Sequence, residues 1–170
     1  MGLKERVENV YKILASALKD KVIELAIVGD FIRVKTTSEN VLEIAKELKK
    51  LGFDHVKSVT AVDYIKEERF EILYHISSYL NQDFFGVIVE LAYDVPRAKP
   101  TAKSLYNVWK SVDFWERETY EMFGVVFEGH PDLRPLLLDE ELAKKHPMRK
   151  DFIVKEEGIF IAQPRTEKRY

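Results

Sequence analysis

Along Arg69–Ser77 the side chains alternate in kind. Phe70, Ile72, Tyr74 and Ile76 fall on one side of an extended backbone, and Glu71, Leu73, His75 and Ser77 fall on the other. A period of two belongs to a β-strand. The neighbouring segments supply the rest of a sheet. Residues 84–93 form a more apolar run, which places a strand at the sheet's centre. His55–Tyr64, with Val56, Val59 and Val62 scattered through it, reads as another strand. Residues 22–28 and Phe31–Thr36 read as a hairpin turned by Gly29-Asp30. Two amphipathic helices accompany the strands. Leu3, Val7, Val10, Tyr11, Leu14 and Leu18 recur at helical spacing, and so do Val41, Leu42, Ala45, Leu48 and Leu51. Thr37 or Ser38 is the expected cap of the second helix, and Gly52 its stop. The expected class is therefore α+β: two layers, with helices on one face of a mixed five-stranded sheet. Pro96 and Pro100 break the pattern, so residues 1–95 are expected to be an α/β domain. Thr101 is expected to cap a helical turn through Leu105 and Trp109.

Composition excludes several functions. The chain has 170 residues, is 46% hydrophobic and carries a net charge of −2, so it has a core and no strong field for nucleic acid or an anionic membrane. It has no Cys, so it cannot hold an iron–sulfur cluster through thiolates, form a disulfide or use a Cys nucleophile. No apolar run approaches the roughly 20 residues that span a bilayer. No signal peptide opens the chain. The expectation is a cytoplasmic protein or a peripheral subunit on the cytoplasmic side. A charged fraction of 33% fits a thermophile. There is no G-x-G-x-x-G, no G-x-x-x-x-G-K and no H-E-x-x-H.

The chemistry is concentrated in residues 115–151, WERETYEMFGVVFEGHPDLRPLLLDEELAKKHPMRKD, where His-Pro occurs twice. A helix is expected from Asp113, as N-cap, to Gly124, as left-handed stop. Trp115, Thr119, Met122 and Phe123 share one face. Glu116 and Glu118 flank that face, while Arg117 and Glu121 lie opposite. The wheel alone favours Glu116 as a cap of its own helix and Glu118 as a solvated side chain. After a short extended run at residues 125–127, His130-Pro131-Asp132 forces an extended or turn backbone. Residues 139–142 read as a short acidic helix start, and His146-Pro147 as a second rigid turn. The expected organisation is a motif-bearing continuation over 96–127 and an extended arm over 128–170. Long irregular segments of this kind are usually functional or tied to a partner.

The string ERETYEMFGVVFEGHPDLRPLLL, followed by HPMRKDF, resembles the signature of the 30 kDa subunit of respiratory complex I. That family is the C subunit of bacterial NADH:quinone oxidoreductase, with relatives in membrane-bound [NiFe] hydrogenases and formate hydrogenlyases. Glu121 stands where the family usually has Asp, and Pro135 where a second Arg is common. With the short tail, these departures point to the hydrogenase-like branch. The resemblance implies a chain with no redox centre, whose iron–sulfur clusters and any NiFe centre lie on other subunits. It implies as partners the hydrogenase-like large (49 kDa type) subunit, a neighbouring iron–sulfur subunit and, through the complex, antiporter-like membrane subunits. The residues expected to bind the partner are Glu116, Arg117, Glu118, Glu121, Gly124, His130, Pro131, Asp132, Leu133, Arg134, His146, Pro147, Arg149, Lys150 and Asp151. No catalytic, cofactor-binding or metal-binding residue is expected.

Two other readings compete. A stand-alone enzyme would use His130 or His146 with Glu116 or Glu118 as acid and base, which requires a closed pocket uniting them. A soluble binding module would have no membrane partner. His130 and His146 with Asp132 or Asp151 could in principle hold a metal, but both histidines precede proline, which favours a turn-forming role. His55 and His75 read as strand residues, Asp63 as a carboxylate that anchors the following loop, and Tyr106, Trp109, Phe114 and Trp115 as core aromatics.

Overall fold

The computed structural model describes residues 2–153. Helix α1 (Leu3–Leu18) buries Val7, Val10, Leu14 and Leu18, the stripe its spacing predicts. Strands β1 (Glu24–Val28) and β2 (Phe31–Thr36) form the antiparallel hairpin, with Gly29 at φ 58° in the turn. Helix α2 (Val41–Leu51) ends at Gly52, whose φ of 111° suits a residue without a Cβ. Neither Thr37 nor Ser38 is its N-cap. A turn intervenes, Asn40 takes the cap position, and the Thr37 hydroxyl accepts the Asn40 amide at 3.4 Å.

Strands β3 (His55–Tyr64), β4 (Arg69–Ser77) and β5 (Ile88–Pro96) complete a mixed sheet in the order β1-β2-β5-β4-β3. β5 is central, parallel to β2 and antiparallel to β4. It begins later than the apolar run suggests. Phe84 belongs to a 3-10 turn instead, and its ring stacks on Phe53 at 5.1 Å. The inward residues of the strands and the apolar stripes of α1 and α2 form one core, including Ile32, Val34, Ile72, Tyr74, Leu91 and Tyr93. The other sheet face carries ions: Arg33, Lys35, Arg69, Glu71, Glu90 and Asp94.

The segment after Pro100 differs from expectation. Thr101 caps no helix. Thr101–Lys103 is strand β6, which pairs in parallel with β7 (Val126–Glu128). Trp109 is buried and its indole donates to the Phe53 carbonyl at 2.8 Å, whereas Phe114 and Trp115 are exposed rather than core. A 3-10 turn at Lys110–Val112 then runs directly into helix α3 (Asp113–Phe123), so Val112 rather than Asp113 occupies the cap position. Helix α3 lies on the same sheet face as α1 and α2, with Phe123 edge-on to Phe70 at 6.1 Å. The short helix α4 (Glu140–Ala143) starts as its acidic sequence predicts, with Asp139 accepting the Leu142 amide at 2.8 Å. Residues 154–170, the end of the expected arm, lie outside the described residues.

Candidate functional site

Helix α3 organises the motif. Glu116 caps nothing in its own helix. It is fully buried, with Oε1 accepting from the Tyr74 hydroxyl at 2.8 Å and the Leu105 amide at 2.8 Å, and Oε2 from the Ser104 hydroxyl at 2.6 Å. Burial pushes its pKa up to about 7, although these three donors pull it down. Burial likewise raises the pKa of Tyr74. Glu116 therefore ties α3 to β4 and to the turn after β6.

Glu121, placed by the wheel on the solvent side, is also fully buried. Its carboxylate accepts the amides of Leu136, Leu137 and Leu138 at 2.8, 3.0 and 3.2 Å. One helical turn earlier, Arg117 donates to the carbonyls of Arg134 and Pro135 at 3.0 and 3.1 Å. The spacing of four puts both on one helix side. The cation there takes the carbonyls of the crossing segment and the anion takes its amides. Pro135, which has no N–H to offer, contributes only its carbonyl, and the amide set begins at the next residue.

The carbonyls at the end of α3 are taken by the second His-Pro turn. His146 Nδ1 donates to the Glu121 carbonyl at 3.1 Å, the Met148 amide to Met122 at 3.1 Å, and Arg149 Nε to Phe123 at 2.6 Å. A helix C-terminus leaves such carbonyls unpaired and attracts cations. Gly124 is required here twice over. Its φ is 76°, and a Cβ would stand 2.5 Å from the Arg149 guanidinium and 2.6 Å from the His146 ring. His146 itself holds a left-handed φ of 50°.

The first His-Pro turn is internal too. The Asp132 amide donates to His130 Nδ1 at 3.2 Å, so the proton sits on Nε2, which donates to the Asp113 carbonyl at 3.2 Å. Asp132 pairs with Arg134 at 2.9 Å on the surface. Pro131 is exposed, Pro147 half-buried, and Leu133 packs against the core. Asp63 anchors more than its own loop. It accepts from Arg97 at 2.9 Å and from the Lys150 amide at 3.0 Å, while Arg97 also reaches Asp151 at 2.7 Å. Burial raises the Asp63 pKa, but these bonds outweigh it and hold the group below its usual value.

The structure thus joins Arg117, Glu121, Gly124, His146 and Arg149 into one assembly around α3. The groove lined by Glu118 contains no histidine, and the cavity at His146 contains neither Glu116 nor Glu118. Among the described residues, no cluster of His, Asp and Glu could hold a metal ion, and no helix is long and apolar enough to cross a membrane. Sequence reasoning missed Tyr74 and Ser104, the partners of Glu116. The available signal was a carboxylate beside an apolar helix face.

The motif charges of this chain hold its own backbone in place. Its relatives are named as subunits. The family described as "Respiratory-chain NADH dehydrogenase, 30 Kd subunit" matches residues 34–158, and this chain belongs to it. The C subunit of the F(420)H(2) dehydrogenase of Methanosarcina mazei is 37% identical over 122 residues, 71% of this chain and 75% of that one. The C subunit of the NADH-quinone oxidoreductase of Roseiflexus sp. is 33% identical over 147 residues, 84% of this chain and 82% of that one. A trypsin-resistant fragment (1-134) of Nqo5 is 30% identical, with a TM-score of 0.64 over 75% of this chain and 99% of the fragment. The fold is also that of a chain in the membrane-bound sulfane sulfur reductase, an archaeal respiratory membrane complex, at 23% identity and a TM-score of 0.74 over 86% of this chain and 84% of that one.

Proposed function

We propose that this chain is a non-catalytic peripheral scaffold of a membrane-bound, complex-I-like oxidoreductase on the cytoplasmic side of the membrane. It braces the [NiFe]-hydrogenase-like large subunit. In this reading residues 1–95 are the supporting unit, 96–127 carry the motif helix and 128–170 face the partner. Electron transfer runs through iron–sulfur clusters, and any NiFe centre, on other subunits. The observation that carries the reading is the use of the motif's polar side chains. Glu116, Arg117, Glu121, His146 and Arg149 all hold this chain's own groups, which fixes the crossing segments in one register and leaves Arg134, Leu137 and Met148 outward. A preorganised surface of that kind suits recognition by a rigid neighbour.

Pro135 in place of an Arg favours the membrane-bound hydrogenase branch. The named relatives favour a second reading, the same scaffold in an NADH-quinone oxidoreductase or an F(420)H(2) dehydrogenase. Affinity purification of the tagged chain from solubilised membranes separates the two. Large and small hydrogenase-like subunits with antiporter-like membrane subunits are the expected companions. A diaphorase-type flavoprotein among them selects the second branch. Turnover of a substrate by the purified chain alone, or recovery without a hydrogenase-like companion, overturns both.

A further inference from the structure

Helix α3 and the edge strand β3 enclose a groove of about 290 Å3. Buried Val59, Thr119 and Phe123 form its base, and Trp115 and Met148, 36% and 59% exposed, stand at its rim. Glu118 lines the same groove. It is half-buried, and its carboxylate forms no hydrogen bond or ion pair with another described residue. The other acidic residues expected to bind the partner are all paired: Glu116 and Glu121 internally, Asp132 with Arg134, and Asp151 with Arg97.

We propose that this groove receives a bulky apolar side chain of a neighbouring subunit, with a Lys or Arg close to it in that subunit's sequence pairing with Glu118. The inference rests on the scaffold reading above and adds the chemistry of one contact. A carboxylate beside an apolar, half-desolvated surface gains most from a cation that arrives with its own apolar neighbour. Methionine and tryptophan at the rim suit a packed protein contact, since thioethers adapt their shape and indoles supply area. The space lies at the bottom of the ~300 to 1,000 Å3 range of small-molecule sites and is open to solvent, and it fits one or two side chains. Strand addition at β3 is disfavoured, because two of its main-chain groups are already in use. The Val59 carbonyl accepts from Thr119 at 3.3 Å and the Val56 amide donates to Ser111 at 3.3 Å. A second copy of this chain is disfavoured too. A two-fold contact on the groove would bring two unpaired Glu118 carboxylates together.

The test uses the assembled complex. Met148→p-benzoylphenylalanine is introduced in the full chain, the complex is purified and irradiated, and the linked peptide is sequenced. The expected product joins Met148's position to another subunit, at a peptide with a bulky apolar residue within about four positions of Lys or Arg. Glu118→Lys is expected to lower retention of the chain in the complex about tenfold or more. Its melting temperature alone should not change, and Lys or Arg→Glu in the linked peptide should restore retention. Linkage to a second copy, to residues 154–170 of the same chain or to nothing overturns the proposal, as does full retention of Glu118→Lys. A second probe, Arg134→p-benzoylphenylalanine, separates the two levels. If it captures the large subunit and the Met148 probe captures none, only the groove assignment falls. If neither captures another subunit, the scaffold reading falls with it.

Discussion

On the helix-free face of the sheet, ions meet ions. Arg33 pairs with Glu71 at 2.6 Å and also with Glu90, while Lys35 pairs with Glu71 at 2.9 Å and Asp94 at 3.0 Å. Around α3 the side chains that hold the crossing segments meet backbone instead. Glu121 takes three amides, Arg117 two carbonyls, and His146 and Arg149 one carbonyl each. The first arrangement is redundant, because each cation has at least two carboxylates and the strands beneath are already fixed by their ladders. The second is singular. The segment over residues 134–138 has no ladder of its own, so its path depends on the two side chains that hold it. Ion pairs decorate a fold that exists without them, whereas ion-to-backbone bonds determine where an irregular segment goes.

The largest expected effect follows from that singularity. Glu121→Ala leaves three half-buried amides without an acceptor, and should cost about 4 kcal/mol. Amide exchange should show where the loss falls. Leu136, Leu137 and Leu138 should exchange much faster, while the amides of β4 keep their order of protection. Unchanged exchange at those three positions would sink the claim that Glu121 sets the segment's path.

Glu116 yields a smaller, pH-dependent effect. Its pKa rises from an ordinary 4.5 to about 7 on folding. The folded state therefore binds this proton more tightly than the unfolded chain does. Below pH ~4.5 both forms carry it and nothing is lost. Between the two values stability falls as pH rises, by roughly 3 kcal/mol in all, and above the upper value it levels off. Urea unfolding at intervals from pH 4.5 to 8 should trace that decline. Glu116→Gln should flatten it, because the amide oxygen can still accept from Tyr74 and Leu105, the Ser104 hydroxyl can turn to accept from the amide NH2, and no charge is buried. A slope that survives in Glu116→Gln assigns the titration to another group.

How much of this the sequence reveals depends on the range of the interaction. Arg69–Ser77 is legible because alternation is local, and β5 is legible as central because its run is more apolar than those of the other strands. Gly52 and Gly124 are legible as stops because a helix end is decided within a turn. Glu121 is not. A wheel assigns a polar residue opposite the apolar stripe to water, and only a segment 15 residues downstream, crossing over it, makes that side an interior. Glu116 fails likewise, since Tyr74 is 42 residues away and no period connects them. β7 is legible as the short extended run after Gly124, but β6 is too short for a pattern, and their pairing across 25 residues is too distant for a turn signal. The motif residues are recognisable from their type. The part each plays is set by contacts that sequence distance conceals.

The smallest effect sharpens the contrast from the other side. Glu71 is as buried as many core residues, at 4% exposure, and contacts two cations. By burial alone Glu71→Gln should rival Glu121→Ala. Redundant partners lower that cost. Arg33 keeps Glu90 and Lys35 keeps Asp94, and the amide oxygen still accepts from one of them. The cost should be about 1 kcal/mol. Because the strand ladders hold the backbone, exchange protection in β2 and β5 should stay as it was. A loss equal to that of Glu121→Ala, or a loosening of β2, would mean that the ionic face is a single cooperative network. The distinction between charges that pair and charges that position would then not hold for this chain.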